Sequence, residues 1–291
     1  MDSHSDGKRR FLFEDIDMRG EIVHLDEVLT EVAAIHDYPQ GVAELLGEFI
    51  AASVLLASTI KFKGSLTVQA RSDREIPLIM AECTSEMTVR AIARGAEQAT
   101  ARDFASLLGG GQLVLTITPD RGNRYQGIVP LATDSLASSI DAYFEQSEQL
   151  PTRLFLASDG KHSAGLLLQQ LPKQKVENEQ ERDENWGRVA ALAETLTPEE
   201  LLSLADEQLL FRLFHEEKVR VFDESSVRFK CSCSQDRTLA ALATIGEAEV
   251  RDILEEQGSV TMDCEFCNQR YIFKEADLRG LLSDAGTGPV H

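Results

Sequence analysis

The chain has 291 residues, 43% of them apolar, with 49 acidic against 29 basic side chains and a formal net charge of -20. That length and apolar content suit a folded protein of two domains. The acidic balance disfavours nucleic acid, whose binding relies on placing Lys and Arg on phosphates.

The opening segment, MDSHSDGKRRFLFEDIDMRG, mixes both charges and has no apolar run of the secretory kind, so a cytoplasmic location is expected. From there to about Leu171, short β-branched or aromatic runs bounded by Gly, Pro, Asp or Asn predict strands. They are GEIVHL, GSLTVQAR, IPLIMAEC, MTVRAIA, GQLVLTITP, RYQGIVPL, TRLFLAS and SAGLLLQQL. Helices are predicted over Val42–Ile60, with a stripe of Leu45, Leu46, Phe49, Ile50 and Val54, and over Leu136–Glu148. The uncharged run FIAASVLLASTI has 12 residues. That falls short of the ~20 needed to cross a bilayer, so it reads as a core helix and no membrane partner is expected. Strands and helices do not alternate strictly, which favours an α+β fold with mainly antiparallel pairing over residues 1–173. Cys83, inside the apolar strand IPLIMAEC, reads as a buried inert thiol. Gly109–Gly111 read as a turn, since no Gly-x-x-x-x-Gly-Lys-Ser/Thr loop exists to hold a nucleotide phosphate.

Residues 174–230 form a second region, an acidic helical linker. PKQKVENEQERDENWGR, from Pro172 to Arg188, is almost free of apolar residues before Trp186 and reads as exposed. TPEELLSL then opens with Thr197 as N-cap, Pro198 at the first helical position and Glu200 three residues after the cap, a capping box. DEQLLFRLFHEE carries an apolar face of Leu209, Leu210, Leu213 and Phe214. Helices this short depend on packing against a neighbour. KVRVF and VRFKC flank DESS and predict a hairpin running into Cys231.

The third region, 231–291, has helical patterns at QDRTLAAL, EAEVRDILEEQ and EADLRGLLS and strands at SVTMDC and RYIF. A unit this small usually needs a staple. Cys231 and Cys233 form one close pair, Cys264 and Cys267 another, with residues 234–263 between them. Four thiolates suit a closed tetrahedral zinc site with no position left for substrate, so one structural zinc per chain is expected and no other cofactor. Two readings stay open: a static clip, or a switch, because thiolates are the form that oxidants attack and each pair is close enough in sequence to close on itself. His162 and His215 lack a matching partner at ligand spacing and read as ordinary residues, and no catalytic group is expected.

KCSCS with CEFCNQRYIF, YFEQSEQLPTRLFLA, RYQGIVPL and LLFRLFHEE together resemble the bacterial redox-regulated molecular chaperones, the thirty-three-kilodalton heat-shock holdases, from about Phe11 onward. The resemblance implies an ATP-independent holdase, active in oxidative stress and not an enzyme. It implies zinc on Cys231, Cys233, Cys264 and Cys267 in an inactive reduced form. On oxidation Cys231 would pair with Cys233 and Cys264 with Cys267, zinc would leave, the tail and linker would unfold, and a homodimer would hold unfolding client proteins. One departure is Ala91 after Arg90, where the family commonly has Gly, which bears on the backbone of one turn. The competing class is a thiol–disulfide oxidoreductase using Cys264 and Cys267, whose motif ordinarily follows a strand in a thioredoxin-like βαβ unit. A third class, a static zinc-binding adaptor or nucleic-acid module, is disfavoured by the acidic charge.

Overall fold

A computed structural model describes residues 6–61, 63–132 and 134–282, and the chain divides into two compact units, Met1–Lys230 and Cys231–His291. The first unit begins with β1 (Gly7–Phe13), β2 (Met18–Leu25), α1 (Glu27–Ala33), α2 (Gln40–Thr59), β3 (Gly64–Arg71), β4 (Leu78–Thr84) and β5 (Thr88–Arg94). It continues with α3 (Phe104–Leu108), β6 (Gln112–Pro119), β7 (Tyr125–Pro130), α4 (Leu136–Tyr143), a π-helical turn over Phe144–Glu148, β8 (Thr152–Ser158) and β9 (Ser163–Gln170). Three helices follow, α5 (Glu179–Ala193), α6 (Pro198–Ser203) and α7 (Asp206–Phe214), then the short strands β10 (Val219–Val221), β11 (Ser225–Ser226) and β12 (Arg228–Phe229). The second unit contains α8 (Gln235–Ile245), α9 (Glu247–Gln257), β13 (Val260–Asp263), β14 (Arg270–Phe273) and α10 (Arg279–Leu282).

Two six-stranded sheets form the first unit. One runs β10-β1-β2-β9-β8 with β11 also on β1, the other β12-β5-β4-β3-β6-β7. Every pairing is antiparallel except β12 with β5, so the expected α+β, mainly antiparallel class is what the chain adopts. Helix α2 lies against strands of both sheets. A helix apolar around its whole circumference belongs in a core. By length and composition α2 could cross a membrane, but 78% of its apolar window is buried inside the protein. Its length exceeds the uncharged run because Glu44 and Glu48 are accommodated: Glu44 pairs with Arg102, while burial and the nearby Glu44 push the Glu48 carboxyl up to about 7. Strand alternation turns Leu66, Val68, Ala81 and Cys83 inward. Burial drives the Cys83 thiol up to about 12, leaving it protonated and unreactive as expected.

The opposite face of the first sheet carries Phe11, Phe13, Ile22, Leu166 and Leu168, covered by Val189, Leu209, Leu213 and Phe214 of α5 and α7. Phe214 sits edge-on to Phe13, with centroids 5.2 Å apart at 74°. The amphipathic pattern of 206–214 thus finds its neighbour on this sheet. The capping box forms as read: Thr197 accepts from the Glu200 N–H at 3.2 Å, and Glu200 accepts from the Thr197 N–H at 3.1 Å. Thr197→Ala is expected to cost about 1 kcal/mol. Denaturant unfolding followed by the fluorescence of Trp186, the single tryptophan, measures it.

Three sequence expectations need correction, and one strand forms where none is predicted. KRRF lacks clean alternation and predicts no strand, yet β1 forms there, with Arg9 ion-paired to the carboxylates of Asp206 and Glu207. KVRVF and VRFKC do not pair as a hairpin. β10 joins β1, and β12 joins β5 in the other sheet, because the intervening DESS segment contributes β11 to β1 instead of turning back on itself. The 172–188 stretch is not simply exposed. Asp17, buried between β1 and β2, accepts the N–H groups of Gln174, Lys175 and Val176 at 3.0 to 3.2 Å, and the Arg182 guanidinium at 2.9 Å. Ala91 lies mid-strand opposite Ala81 in β5; the left-handed residues flanking that strand are Met87 (φ 55°) and Gly95 (φ 68°), so the Arg90-Ala91 step bends no turn. Gly109–Gly111 make the expected turn, with Gly110 at φ 75°.

The second unit has a small apolar core of Leu242, Val250, Val260, Phe273 and Leu278. So few buried side chains offset little chain entropy, and other interactions have to hold the unit.

Candidate metal centre

Cys264 directly follows β13 and Cys267 precedes β14, so the CEFC segment is the turn of a two-stranded hairpin. The turn is tight for definite reasons. The Cys264 carbonyl accepts from the N–H groups of Cys267 at 3.2 Å and Asn268 at 2.7 Å, and the Cys264 N–H donates to the Gln269 carbonyl at 2.9 Å. Asn268 takes the left-handed conformation at φ 56°, which Asn tolerates better than most residues. At the base of the turn Arg270 clamps Asp263 through two bonds of 2.7 Å. The other arm, CSCS, leads into α8. Ser234 caps that helix by accepting the Arg237 N–H at 3.2 Å, and the Arg237 side chain reaches back to the Ser232 carbonyl at 3.0 Å and hydroxyl at 2.7 Å.

These supports bring Cys231, Cys233, Cys264 and Cys267 together. Their four Sγ atoms all lie within 4.8 Å of one another, and among the described residues this is the group of Cys, His, Asp and Glu that could hold a metal ion. Across the arms, Cys231 lies 3.6 Å from Cys264 and Cys233 3.5 Å from Cys267. Four sulfurs at ~2.3 Å from a tetrahedral centre would stand ~3.8 Å apart. All four are half-buried, and the Tyr271 hydroxyl donates to Cys233 Sγ at 3.1 Å.

The charges explain why such a cluster suits a cation. Burial and bonds from neighbouring thiols push Cys231 and Cys267 up, whereas at Cys233 the Tyr271 donor and the surrounding thiols outweigh burial and pull the thiol down. Like charges this close oppose one another, so the four sulfurs cannot all ionise unaided. A divalent cation removes that conflict and lets all four act as thiolates. Four donors complete a tetrahedral shell, which suits a structural ion more than a catalytic one.

The match to the Hsp33 protein family model runs over residues 6–274. The chain belongs to the Hsp33 family. It is 51% identical over 286 residues to the 33 kDa chaperonin of Ectopseudomonas mendocina, covering 97% of each chain. With the 33 kDa chaperonin of Azotobacter vinelandii it shares 50% identity over 289 residues, 98% of this chain and 97% of that one. The crystal structure of the Thermotoga maritima Hsp33 homologue matches with a TM-score of 0.80 at 23% identity, over 96% of this chain and 98% of that one, which shows a common fold. Hsp33 proteins are chaperones and not enzymes, in line with the sequence reading.

Placement also bears on the competing reading of Cys264 and Cys267. In this Hsp33 chain they occupy a turn between two antiparallel strands, not the start of a helix after a parallel strand. His162 lies outside the cluster and bonds Asp159 at 2.9 Å, and His215 packs beside Phe211. The sequence reading missed Tyr271 and Arg237. RYIF marked a strand, but which alternate residue faced the sulfurs depended on the register of the hairpin.

Proposed function

We propose that this chain is an oxidation-activated, ATP-independent holdase of the cytoplasm, with one zinc held by Cys231, Cys233, Cys264 and Cys267 in its reduced, resting form. The convergence of the four sulfurs in a unit whose described residues give an apolar core of five side chains supports this reading. Zinc, when bound, supplies the cross-link that this core lacks. Peroxide takes two electrons from each pair of thiolates, forming the Cys231–Cys233 and Cys264–Cys267 disulfides while the peroxide oxygens leave as water. A disulfide sulfur no longer carries the charge that holds a cation.

The segment 174–230 is built to yield when the tail does. α6 has 6 residues and α7 has 9, too short to persist unaided. Acidic side chains crowd α5, where Glu179, Glu181, Asp183 and Glu184 lie within two turns. Release of this segment uncovers Phe11, Phe13, Ile22 and Leu166, an apolar sheet face suited to unfolding clients. The active form dimerises in this reading.

Aggregation of a heat-denatured test enzyme, followed by light scattering, tests the proposal. Peroxide-treated protein is expected to suppress scattering and reduced zinc-loaded protein to leave it unchanged. Equal protection by both forms, or by neither, would end the reading.

A further inference from the structure

Sheet edges are ordinarily short, charged or covered, because their unpaired N–H and C=O groups recruit other strands. Three of the four edges in the first unit follow that rule. β10 has three residues and β12 two. On β8, the Leu154 N–H is taken by the Asp141 carboxylate at 2.9 Å.

β7 is the exception. Its six residues, Tyr125 to Pro130, contain no charge and pair with β6 alone. The Leu131 N–H donates to the Gly111 carbonyl at 2.9 Å, which continues the register Gln112↔Pro130 to Ile117↔Tyr125. Bonding alternates along an antiparallel pair, so Tyr125, Gly127 and Val129 bond to β6 while the backbones of Gln126, Ile128 and Pro130 face outward. Among the described residues nothing pairs with the Gln126 or Ile128 N–H groups. Ile128 is 65% exposed and Tyr125 49%. The strand is also held straight from behind: Tyr143 packs so closely over Gly127 that a Cβ there would fall 2.5 Å from the ring, and Tyr125 and Tyr143 share the Glu148 carboxylate.

We infer that the free edge of β7 binds an extended segment of non-native polypeptide as an added strand, with Ile128 contacting an apolar side chain of that segment. The row of outward N–H and C=O groups is complementary to an extended backbone and indifferent to its sequence, which suits varied partners. A second copy is the weaker occupant. Six residues pairing with six bury far less than the ~1,200 Å² low end of stable interfaces. That the segment belongs to a client rests on the chaperone reading above; the edge itself does not.

The test uses the full chain and a fluorescein-labelled peptide, Glu-Thr-Val-Thr-Val-Thr-Lys, with a control N-methylated at alternate amides. Peptide binding is expected to slow hydrogen exchange at Gln126 and Ile128 specifically, since Gly127 and Val129 are already bonded to β6. Ile128→Lys, at an exposed site that leaves the fold intact, weakens binding about tenfold through loss of the apolar contact. The N-methylated control does not bind. Absence of peptide binding, or binding that leaves both amides exchanging freely, overturns the inference, as does protection that grows with protein concentration and needs no peptide. Redox-dependent client protection that Ile128→Lys leaves unchanged would remove the edge from client holding while the switch stands.

Discussion

Cys267→Ser should leave the reduced protein with an unfolded tail and almost no bound metal, while the sheets and α2 within residues 6–173 keep their fold. The reason is the imbalance of forces in the second unit. Structural zinc contributes an apparent ~10–16 kcal/mol in small domains, against ~5–15 kcal/mol for the whole stability of a typical domain. The apolar core here is Leu242, Val250, Val260, Phe273 and Leu278, so loss of one donor is not made up elsewhere. Hydrogen exchange at β13, β14, α8 and α9 should approach unfolded rates, and α2, buried between two sheets, should keep its protection. Chelation of the unaltered protein under reducing conditions should reproduce the pattern and be reversed by added zinc. A tail that stays protected in Cys267→Ser would show that packing alone holds it.

The second large effect concerns Asp17. Its carboxylate, 5% exposed, is the shared acceptor for three backbone N–H groups and for Arg182, itself 8% exposed. Asp17→Asn leaves the buried Arg182 charge with only the exposed, more distant Glu179 carboxylate at 3.7 Å, and breaking a buried pair in this way costs up to about 3–5 kcal/mol. Denaturant unfolding read by Trp186, which lies on α5 next to Arg182 and packs into the same core, should show the loss. Adding Arg182→Met should recover much of it, because no unpaired charge then remains. The pH dependence has a definite sign. Burial raises the Asp17 acid, but the N–H donors and Arg182 outweigh it and hold the group below its ordinary 3.8. A carboxylate lowered on folding stabilises above its unfolded value, and that contribution disappears as pH falls through the folded value. Unaltered protein should therefore lose stability below about pH 3.8, and Asp17→Asn should show a shallower loss over the same range.

Much of this was legible from local patterns. Strands β2 to β9 announce themselves as short β-branched or aromatic runs between turn residues, and α2 as an apolar helix. The capping box at Thr197 is a contact between residues three apart, so spacing suffices to find it. The four cysteines were legible as a group because two close Cys pairs are the spacing expected of metal ligands or redox centres. Features that depend on distant partners were not legible. β1 is polar along part of its length, and its Arg9 is ion-paired with carboxylates about two hundred residues away. Asp17 looked like one acid among many in FEDIDMRG, and its role arises only when 174–182 folds back onto it. The strands near Val219 and Arg228 were visible, but their partners lie in different sheets, and neighbouring sequence favours the hairpin that does not form.

The most direct test of the account follows zinc and thiols in one sample. During titration with peroxide, a chromogenic zinc chelator should report one zinc leaving per chain in step with the loss of four free thiols, while Cys83 stays reduced until the protein is denatured. Zinc retained after all four cysteines have oxidised, or zinc released with the thiols intact, would contradict it.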